Sequence, residues 1–416
     1  AYTTSEYLAG YAGPPPMVHL RRGETLRRYL QPGLEDGKTF VFWGRNYKTA
    51  GIPGPERSQT WVNQPEKMFG SRTGTGYKQG QARFANAVYT YKPNFRNGDY
   101  REGLIEESGN QLTFEFYTPY IIAATPANDK PWGIYDPGCR NGLILNGKAT
   151  CKTSVSVDQG ATWKDLGAFH SSMDLTDHVK GHRQYWLRLD ASAKELEHAD
   201  LSIRTVCQAA VGIVPRLKDN DSTISFAASH RGVLSAGPTK AQAAKHIAGG
   251  KFDSPTVALQ LASPRGERVT GIYASAHVAS GNPPSKDVLY QIDYSLDQGR
   301  TWKGLVKDWG YPARGQEPGD FWSQSFCFGN IDLPSPSSVP VQVRFRNSGG
   351  KKYLRAEATL LYETAAKDGM QVTFDWMDSA GQHAESHTFP PGGGAPWKIK
   401  TGKDVRTRWV EFGVRE

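Results

Sequence analysis

Basic and aromatic side chains are concentrated between residues 43 and 96. Guanidinium and ammonium groups neutralise carboxylates, and the faces of tryptophan and tyrosine rings pack against apolar faces of sugar rings. With a tyrosine or histidine as base, the same residue types are those that a polysaccharide lyase requires beside a uronate carboxylate. We therefore predict a ligand-binding region that contains Trp43, Arg45, Tyr47, Trp61, Arg72, Tyr77, Lys78, Tyr91 and Arg96.

Paired carboxylates, which glycoside hydrolysis requires on either side of the scissile bond, are weakly indicated. Glu106 and Glu107 are adjacent, and adjacent residues of a strand point to opposite faces of a sheet. Asp174 and Asp177 lie in a predicted loop, and a solvated surface role is favoured for all four. No G-x-S-x-G, H-E-x-x-H or P-loop motif occurs, so no catalytic residue is assigned. No cofactor is predicted. No metal is predicted either, because residues 219–221 lack the glycine and distal glutamate of an EF-hand.

The 416-residue chain has 50 basic and 41 acidic residues, a formal net charge of +9. This excess suits an acidic partner such as an anionic polysaccharide, and it equally serves solubility. The basic residues are scattered rather than gathered on one helix, so a nucleic-acid partner is not expected. No run of about 18 apolar residues occurs, and no membrane span is predicted. The sequence does not define an oligomeric state.

Four cysteines, Cys139, Cys151, Cys207 and Cys327, match no C-x-x-C metal or haem motif. Cys139 and Cys151 are close enough in sequence to form a disulfide across a loop, and Cys207 is a candidate for burial. The pairing of the four thiols is left open.

The elements that position these residues are expected to be β-strands. Glycine (45) and proline (26) are abundant and 11% of residues are aromatic, which favours many strands and turns. Two segments, 156–163 and 295–302, share the pattern S-x-D-x-G-x-T-W and are flanked by alternating apolar residues. The aspartate can accept backbone N–H bonds, glycine supplies a positive φ, and tryptophan returns on the second strand. Each segment predicts a β-hairpin.

This pattern resembles the Asp-box of BNR-repeat proteins, best known from sialidases and other glycoside-processing β-proteins. In that family the motif is structural and lies away from the active site. The resemblance implies a carbohydrate-associated protein with an extracytoplasmic location. The Phe/Tyr-Arg-Ile-Pro stretch of sialidases is missing here. The residues given a structural role by the resemblance are Ser156, Asp158, Gly160, Thr162 and Trp163 in the first hairpin, and Ser295, Asp297, Gly299, Thr301 and Trp302 in the second.

Strand-like segments recur in the same order along the chain. The matched pairs are 112–119 with 257–264, the two hairpins, 185–189 with 341–345, 199–206 with 356–363, and 222–226 with 370–374. We therefore predict an all-β fold with an irregular N-terminal region (1–107), a β-sandwich (108–235), a helical linker (236–252) and a related β-sandwich (253–416). A sialidase-like β-propeller is the alternative, but its blades span only about 40–50 residues and the two hairpins are much farther apart.

The sequence thus predicts an extracytoplasmic protein that recognises a polysaccharide, with an acidic polysaccharide favoured. One alternative is an enzyme, either a glycoside hydrolase or a polysaccharide lyase; another is a structural surface or assembly protein. An enzyme should show one deep cleft with converging carboxylates or with Tyr, His and Arg. A binding protein should show a shallow aromatic strip, and an assembly protein should show large apolar patches or exposed sheet edges.

Overall fold

The computed structural model describes residues 19–30, 34, 84–118, 120–125, 127, 136–210, 214–246, 256–279, 289–309, 324–348, 353–364 and 368–415. The strands are β1 (Glu24–Tyr29), β2 (Phe84–Tyr91), β3 (Leu104–Ser108), β4 (Gln111–Tyr117), β5 (Ile121–Ile122), β6 (Leu143–Asn146), β7 (Lys152–Ser156), β8 (Lys164–Ala168), β9 (Ser172–Asp174), β10 (Gln184–Leu189), β11 (Ser202–Ala210), β12 (Asp221–Ile224), β13 (Arg231–Ala236), β14 (Thr256–Leu261), β15 (Val269–Ala279), β16 (Tyr290–Ser295), β17 (Lys303–Trp309), β18 (Gln324–Ser337), β19 (Val341–Asn347), β20 (Tyr353–Glu363), β21 (Gly369–Asp378), β22 (Gly381–Phe389), β23 (Trp397–Lys400) and β24 (Arg406–Arg415). The helices are a 3-10 helix (Asp99–Gly103), α1 (Thr176–Val179), α2 (Ala193–Leu196) and α3 (Lys240–His246).

The first sandwich packs a five-stranded sheet, in the order β3-β4-β10-β7-β8, against part of a nine-stranded sheet. We call the nine-stranded sheet the large sheet; its strands β2-β11-β6-β9 belong to this sandwich, and β5 pairs with β11. Alternate residues of β4 face inward, and Phe114 and Phe116 contact Tyr91 and Tyr89 of β2 with ring centroids 6.1 and 5.1 Å apart. Each such buried ring stabilises the fold by roughly 1.5–3 kcal/mol.

The second sandwich packs the sheet β13-β20-β15-β18 against the sheet β14-β19-β16-β17. The burial of β14 and β19 alternates strictly, as expected for strands with one face in a core. The inward residues form a second apolar core that includes Val257, Ile272, Tyr290, Val343 and Leu360.

Both sandwiches have the same strand order. β13-β20-β15-β18 repeats β2-β11-β6-β9, and β14-β19-β16-β17 repeats β4-β10-β7-β8, with equivalent strands following each other in the same chain order. Eight strands divided in this way between two sheets form a jelly roll. The predicted all-β sandwich fold is confirmed, and the described strands do not form a six-bladed propeller.

The C-terminal strands belong to the first core, so the predicted limits of the second sandwich (253–416) are wrong beyond β20. The large sheet runs β22-β21-β24-β1-β2, and β24 pairs with β1. The pair β12–β23 packs on this extension, where Phe226 contacts Phe389 and Phe412 with centroids 5.5 and 5.3 Å apart. The predicted match of 222–226 with 370–374 therefore fails, because β12 and β21 occupy different places in the fold.

The predicted irregular region (1–107) also differs from the described structure, since it supplies β1 and β2 to the large sheet and β3 to the first sandwich. Strand β1 does not show the alternation of apolar and polar residues that predicts a strand, because some of its inward-facing residues are charged. Arg21 and Glu24 form a buried ion pair at 2.7 Å, and Arg28 donates to the Tyr120 hydroxyl at 2.5 Å. Charges of this kind are tolerated inside a protein only when they are paired.

The linker predicted over 236–252 contains α3. Thr239 and Gln242 cap its N-terminus reciprocally, because each side chain accepts a hydrogen bond from the backbone N–H of the other, at 3.3 and 2.9 Å. Gln242 Nε2 also donates to the carbonyl of Ala258, which attaches the linker to β14. Within the described part of the chain, no helix combines the length and apolar character needed to cross a membrane.

Candidate functional site

The first S-x-D-x-G-x-T-W segment closes a hairpin between β7 and β8 through its own side chains. Ser156 Oγ donates to Asp158 at 2.7 Å and accepts from the N–H of Gly160 at 2.9 Å. Asp158 accepts from the backbone N–H and the hydroxyl of Thr162, at 2.8 and 2.5 Å. Gly160 has φ +80°, where a Cβ would lie 2.6 Å from the Trp186 ring.

The second hairpin, between β16 and β17, has the same geometry. Ser295 donates to Asp297 at 2.7 Å, the N–H of Gly299 donates to Ser295 at 2.8 Å, and Thr301 donates twice to Asp297, at 2.8 and 2.5 Å. These bonds lower the pKa of Asp297 to about 2, with the bonds from Thr301 as the largest cause. The serine, aspartate and threonine side chains of both segments thus make hydrogen bonds inside their own turn.

An arginine covers the tryptophan of each hairpin. The guanidinium of Arg188 lies 3.6 Å from the Trp163 ring centroid, and that of Arg344 lies 4.0 Å from the Trp302 ring centroid. Both tryptophans are half-buried. A cation over the face of an aromatic ring is worth about 0.5–1 kcal/mol at such sites.

Two residues of the predicted ligand-binding region lie in the described structure, and no contact joins them. Tyr91 is 1% exposed, with its ring between Phe114 and the Arg21 guanidinium, and burial raises its pKa. A surface ligand cannot reach this ring, so the prediction for Tyr91 is corrected to a core role. Arg96 is exposed and lies 3.1 Å from His198. The predicted residues Trp43, Arg45, Tyr47, Trp61, Arg72, Tyr77 and Lys78 lie outside the described residues.

Two of the four acidic residues considered for hydrolysis, Asp174 and Asp177, hold loops together. Asp174 accepts from the backbone N–H groups of Thr176 and Asn141, at 3.0 and 2.8 Å. Asp177 accepts from the N–H of Gly138 at 2.5 Å and from Lys180 at 2.8 Å. Within the described residues, no group of three His, Cys, Asp or Glu side chains is placed to hold a metal ion.

The four cysteines are thiols, and none forms a disulfide. The disulfide considered between Cys139 and Cys151 is therefore not formed. Cys139 Sγ accepts from Lys180 Nζ at 3.1 Å, whereas Cys151 lies in the first core. Cys207 is fully buried, as considered from the sequence, and burial raises the pKa of its thiol.

An open cavity of about 580 Å³ lies on the face of the large sheet that points away from the first core. Alternate residues of four adjacent strands reach this face. In one row, Thr25 of β1 is paired with Thr90 of β2, which is paired with Arg204 of β11. In the next row, Arg27 is paired with Glu411 of β24. The lining residues are Gly23, Thr25, Arg27, Tyr29, Leu34, Val88, Thr90, Lys92, Arg204 and Glu411.

Positive charge predominates in this cavity. Arg27 Nε donates to Glu411 at 2.7 Å, and its guanidinium lies 4.2 Å from the Trp409 ring centroid. The pKa of Arg27 lies above its usual range. Desolvation lowers this pKa, but the hydrogen bond to Glu411 and the charge of this carboxylate raise it by more. Glu411 neutralises Arg27, and the other cations of the described lining are Lys92 and Arg204. Side chains of neighbouring strands lie about 5 Å apart, so the two threonine hydroxyls are contiguous with these cations.

A partly buried polar contact joins the two sandwiches. Glu115 of β4 accepts from the hydroxyl and the backbone N–H of Ser235 on β13, the latter at 3.1 Å, and from Trp186 Nε1 at 3.4 Å. Burial raises the pKa of Glu115 to about 7, although these hydrogen bonds oppose the shift. Nearby, Arg183 forms an ion pair with Glu357 of β20, and both side chains are almost fully buried.

No protein-family model and no curated protein matches this chain. Among solved structures, the dimeric latent PorU from Porphyromonas gingivalis is similar at a TM-score of 0.22 and 7% identity; the match covers 73% of this chain and 32% of PorU. The VP2 subviral particle of infectious bursal disease virus is similar at a TM-score of 0.17 and 8% identity, over 80% of this chain and 79% of VP2. Similarity at these scores carries no argument about function.

None of the cavity residues on β1, β2 and β11 was predicted from the sequence. The predicted residue Tyr91 lies next to Thr90 in the chain but faces the core. A signal existed in the alternation of Thr25, Arg27 and Tyr29 on one face of β1. The opposite face contains Glu24 and Arg28, which obscured this strand.

Proposed function

We propose that this protein binds an acidic polysaccharide in the cavity on the large sheet. The observation that supports this most strongly is the row Thr25–Thr90–Arg204, in which hydroxyl donors and a guanidinium are fixed on adjacent strands beside Lys92. Carboxylate or sulfate groups would pair with the cations, and sugar hydroxyls would bond the threonines. Strands hold such groups more rigidly than loops do, which reduces the entropy lost on binding.

Two features favour binding over catalysis at this site. Among the described lining residues there is one carboxylate, Glu411, and it already accepts from Arg27, whereas glycoside hydrolysis requires two. The cavity is also open rather than a deep cleft. Jelly rolls occur in both lectins and viral capsids, so the fold alone does not choose between binding and assembly.

The exposed apolar side chains of the described residues give assembly no specific support. Their large exposed apolar side chains are Phe328, Val339 and Met377, which lie on β18, the β18–β19 loop and β21. They do not form one patch on a single element, as an apolar assembly surface would.

The test is retardation of the purified protein in gels that contain neutral or acidic polysaccharides. We expect retardation by a polyuronate or a sulfated polysaccharide, at least about tenfold weaker affinity in Lys92→Ala/Arg204→Ala, and weaker binding as salt increases. Lys148→Ala is the matched control, because this lysine is 80% exposed on the same sandwich and lies outside the cavity. Equal retardation of the wild type and the double variant would refute the assignment to this cavity.

The same incubation distinguishes catalysis. New reducing ends without absorbance at 235 nm would indicate a hydrolase, and both signals together would indicate a lyase. Either result would replace the binding proposal with an enzymatic one.

A further inference from the structure

Two arginines share one carboxylate on the outer face of the second sandwich. Arg344 and Arg346 lie two residues apart on β19, so their side chains emerge on the same face. Both donate their Nε–H to Oδ2 of Asp293 on β16, at 2.9 and 2.7 Å. The Asp293 side chain is 9% exposed, whereas that of Arg346 is 39% exposed.

This arrangement leaves the outer edge of each guanidinium available. The Nη groups of Arg344 and Arg346 make no hydrogen bond within the described structure, because each arginine is bonded only through Nε. The ring of Trp302 lies against Arg344, which fixes the plane of its guanidinium. The nearby Asp308 accepts from Gln291 rather than from either arginine. Two cations and one anion give this cluster a net positive charge.

The equivalent positions of the first sandwich show that the hairpin does not require this cluster. Arg188 is paired with Ser154 there, as Arg344 is paired with Asp293, and Asp190 takes the place of Arg346. The first hairpin nevertheless keeps the same turn and the same arginine–tryptophan contact. Arg188 Nε is buried without a hydrogen-bond partner, so the shared carboxylate is specific to the second sandwich.

The two faces also differ in what covers them. In the first sandwich, Glu115 accepts hydrogen bonds from Ser235 of the second sandwich and from Trp186 of its own sheet. The register places Gln260 and Gln342 at the equivalent positions of the second sandwich, and Gln260 is exposed. The paired arginines therefore lie on a face that the described part of the chain leaves open.

We propose that Arg344 and Arg346 form a second binding site, which takes the carboxylate or sulfate group of an acidic saccharide. Two guanidinium groups oriented by one buried carboxylate offer a fork of N–H donors that matches such an oxyanion. Asp293 holds both donors in place and lowers the entropic cost of binding. The site is separate from the cavity on the large sheet, and its assignment to an acidic saccharide rests on the proposed function.

The experiment uses the full chain with Lys92→Ala/Arg204→Ala as the parent, so that the cavity on the large sheet does not contribute. Isothermal titration calorimetry with a uronate oligosaccharide, a sulfated oligosaccharide and a neutral oligosaccharide of equal length distinguishes the two oxyanions. We expect saturable binding of at least one acidic oligosaccharide and none of the neutral one. Arg346→Gln should weaken this binding at least about tenfold, whereas the matched variant Arg188→Gln should retain the parent affinity.

The proposal is overturned if the parent binds neither acidic oligosaccharide, or if Arg188→Gln loses as much affinity as Arg346→Gln. Arg346→Lys keeps the charge and protects the test against a folding defect. It should show intermediate affinity, and full affinity in this variant would exclude recognition by the arginine fork. Binding by the wild type that disappears in the parent supports the cavity and rejects this site. If the parent binds as tightly as the wild type and Arg346→Gln does not bind, the result supports the site at Arg344 and Arg346 and rejects the cavity.

Discussion

Replacing Glu115 by glutamine should make the protein more stable at pH 8 and leave its stability almost unchanged at pH 4. Burial between the two sandwiches raises the pKa of this carboxyl from 4.5 to about 7. Between pH 4.5 and about pH 7, the unfolded chain has lost a proton that the folded chain retains. The free energy of unfolding therefore falls as the pH rises through this window and is constant above it.

The size of the effect follows from the change in proton affinity. A rise in pKa from 4.5 to about 7 corresponds to about 3 kcal/mol, because each tenfold change is worth about 1.4 kcal/mol. Glu115 keeps some solvent contact in the structure, and screening lowers this figure to roughly 1–3 kcal/mol. Burial lowers the pKa of His19, which lines the same small pocket as Glu115, to about 4, so this imidazole supplies no positive charge above pH 5. Its own titration is common to both proteins and cancels in their difference.

The assay is urea unfolding of the wild type and Glu115→Gln, followed by tryptophan fluorescence at intervals between pH 4 and pH 8. Glutamine keeps an oxygen that accepts from Ser235 and Trp186, so the contact survives the substitution. Glu106→Gln on β3 controls for the loss of one exposed negative charge. A stability difference between the wild type and Glu115→Gln that stays constant over this range would refute the reasoning.

Three further outcomes follow from particular contacts. In urea unfolding, Gly160→Ala should destabilise the protein by about 1–2 kcal/mol more than Gly299→Ala does. The new Cβ lies 2.6 Å from the Trp186 ring in the first hairpin, whereas in the second it meets only the flexible end of the Gln342 side chain. Equal losses of stability would contradict this reasoning. Glu357→Gln should lower the midpoint of thermal unfolding and destabilise by about 3–5 kcal/mol, because it leaves the Arg183 guanidinium buried and unpaired; a cost below about 1 kcal/mol would show that water reaches this pair. A thiol reagent should modify the four cysteines rapidly only after unfolding, with no change of mass on prior reduction; a reduction-dependent mass would show a disulfide.

The hairpins and the duplication were predictable because both are local. A Ser-x-Asp-x-Gly turn specifies its own hydrogen bonds, and the Ser–Asp and Thr–Asp bonds have the same lengths in both copies. The alternation in β14 and β19 likewise identified strands with one buried face. These signals depend on residues close together in sequence, and they identified the elements of both sandwiches.

The closure of the chain was not predictable, because it depends on pairing between its two ends. β24 pairs with β1, and Arg27 meets Glu411 across this junction. Nothing in the alternation of Val372 and Phe374 distinguishes a strand of the second sandwich from one that returns to the first. The cavity depends on this return, since Glu411 forms one side of it. A site built by long-range pairing therefore lies beyond what local patterns specify.

The equivalent faces of the two jelly rolls make different contacts, and this asymmetry supports the proposed second binding site. The hairpin face of the first sandwich contacts β13 of the second, through Glu115 and Ser235. This contact is head-to-tail, because the two partners use different surfaces, and a head-to-tail contact between two units leaves one such face open at the end. The open face has Gln260 at the position that Glu115 occupies in the first sandwich. This face also contains Asp293 and Arg346, where the first sandwich has Ser154 and Asp190. A face that only lacked its partner would not need two arginines held on one carboxylate, whereas a face that binds an oxyanion would.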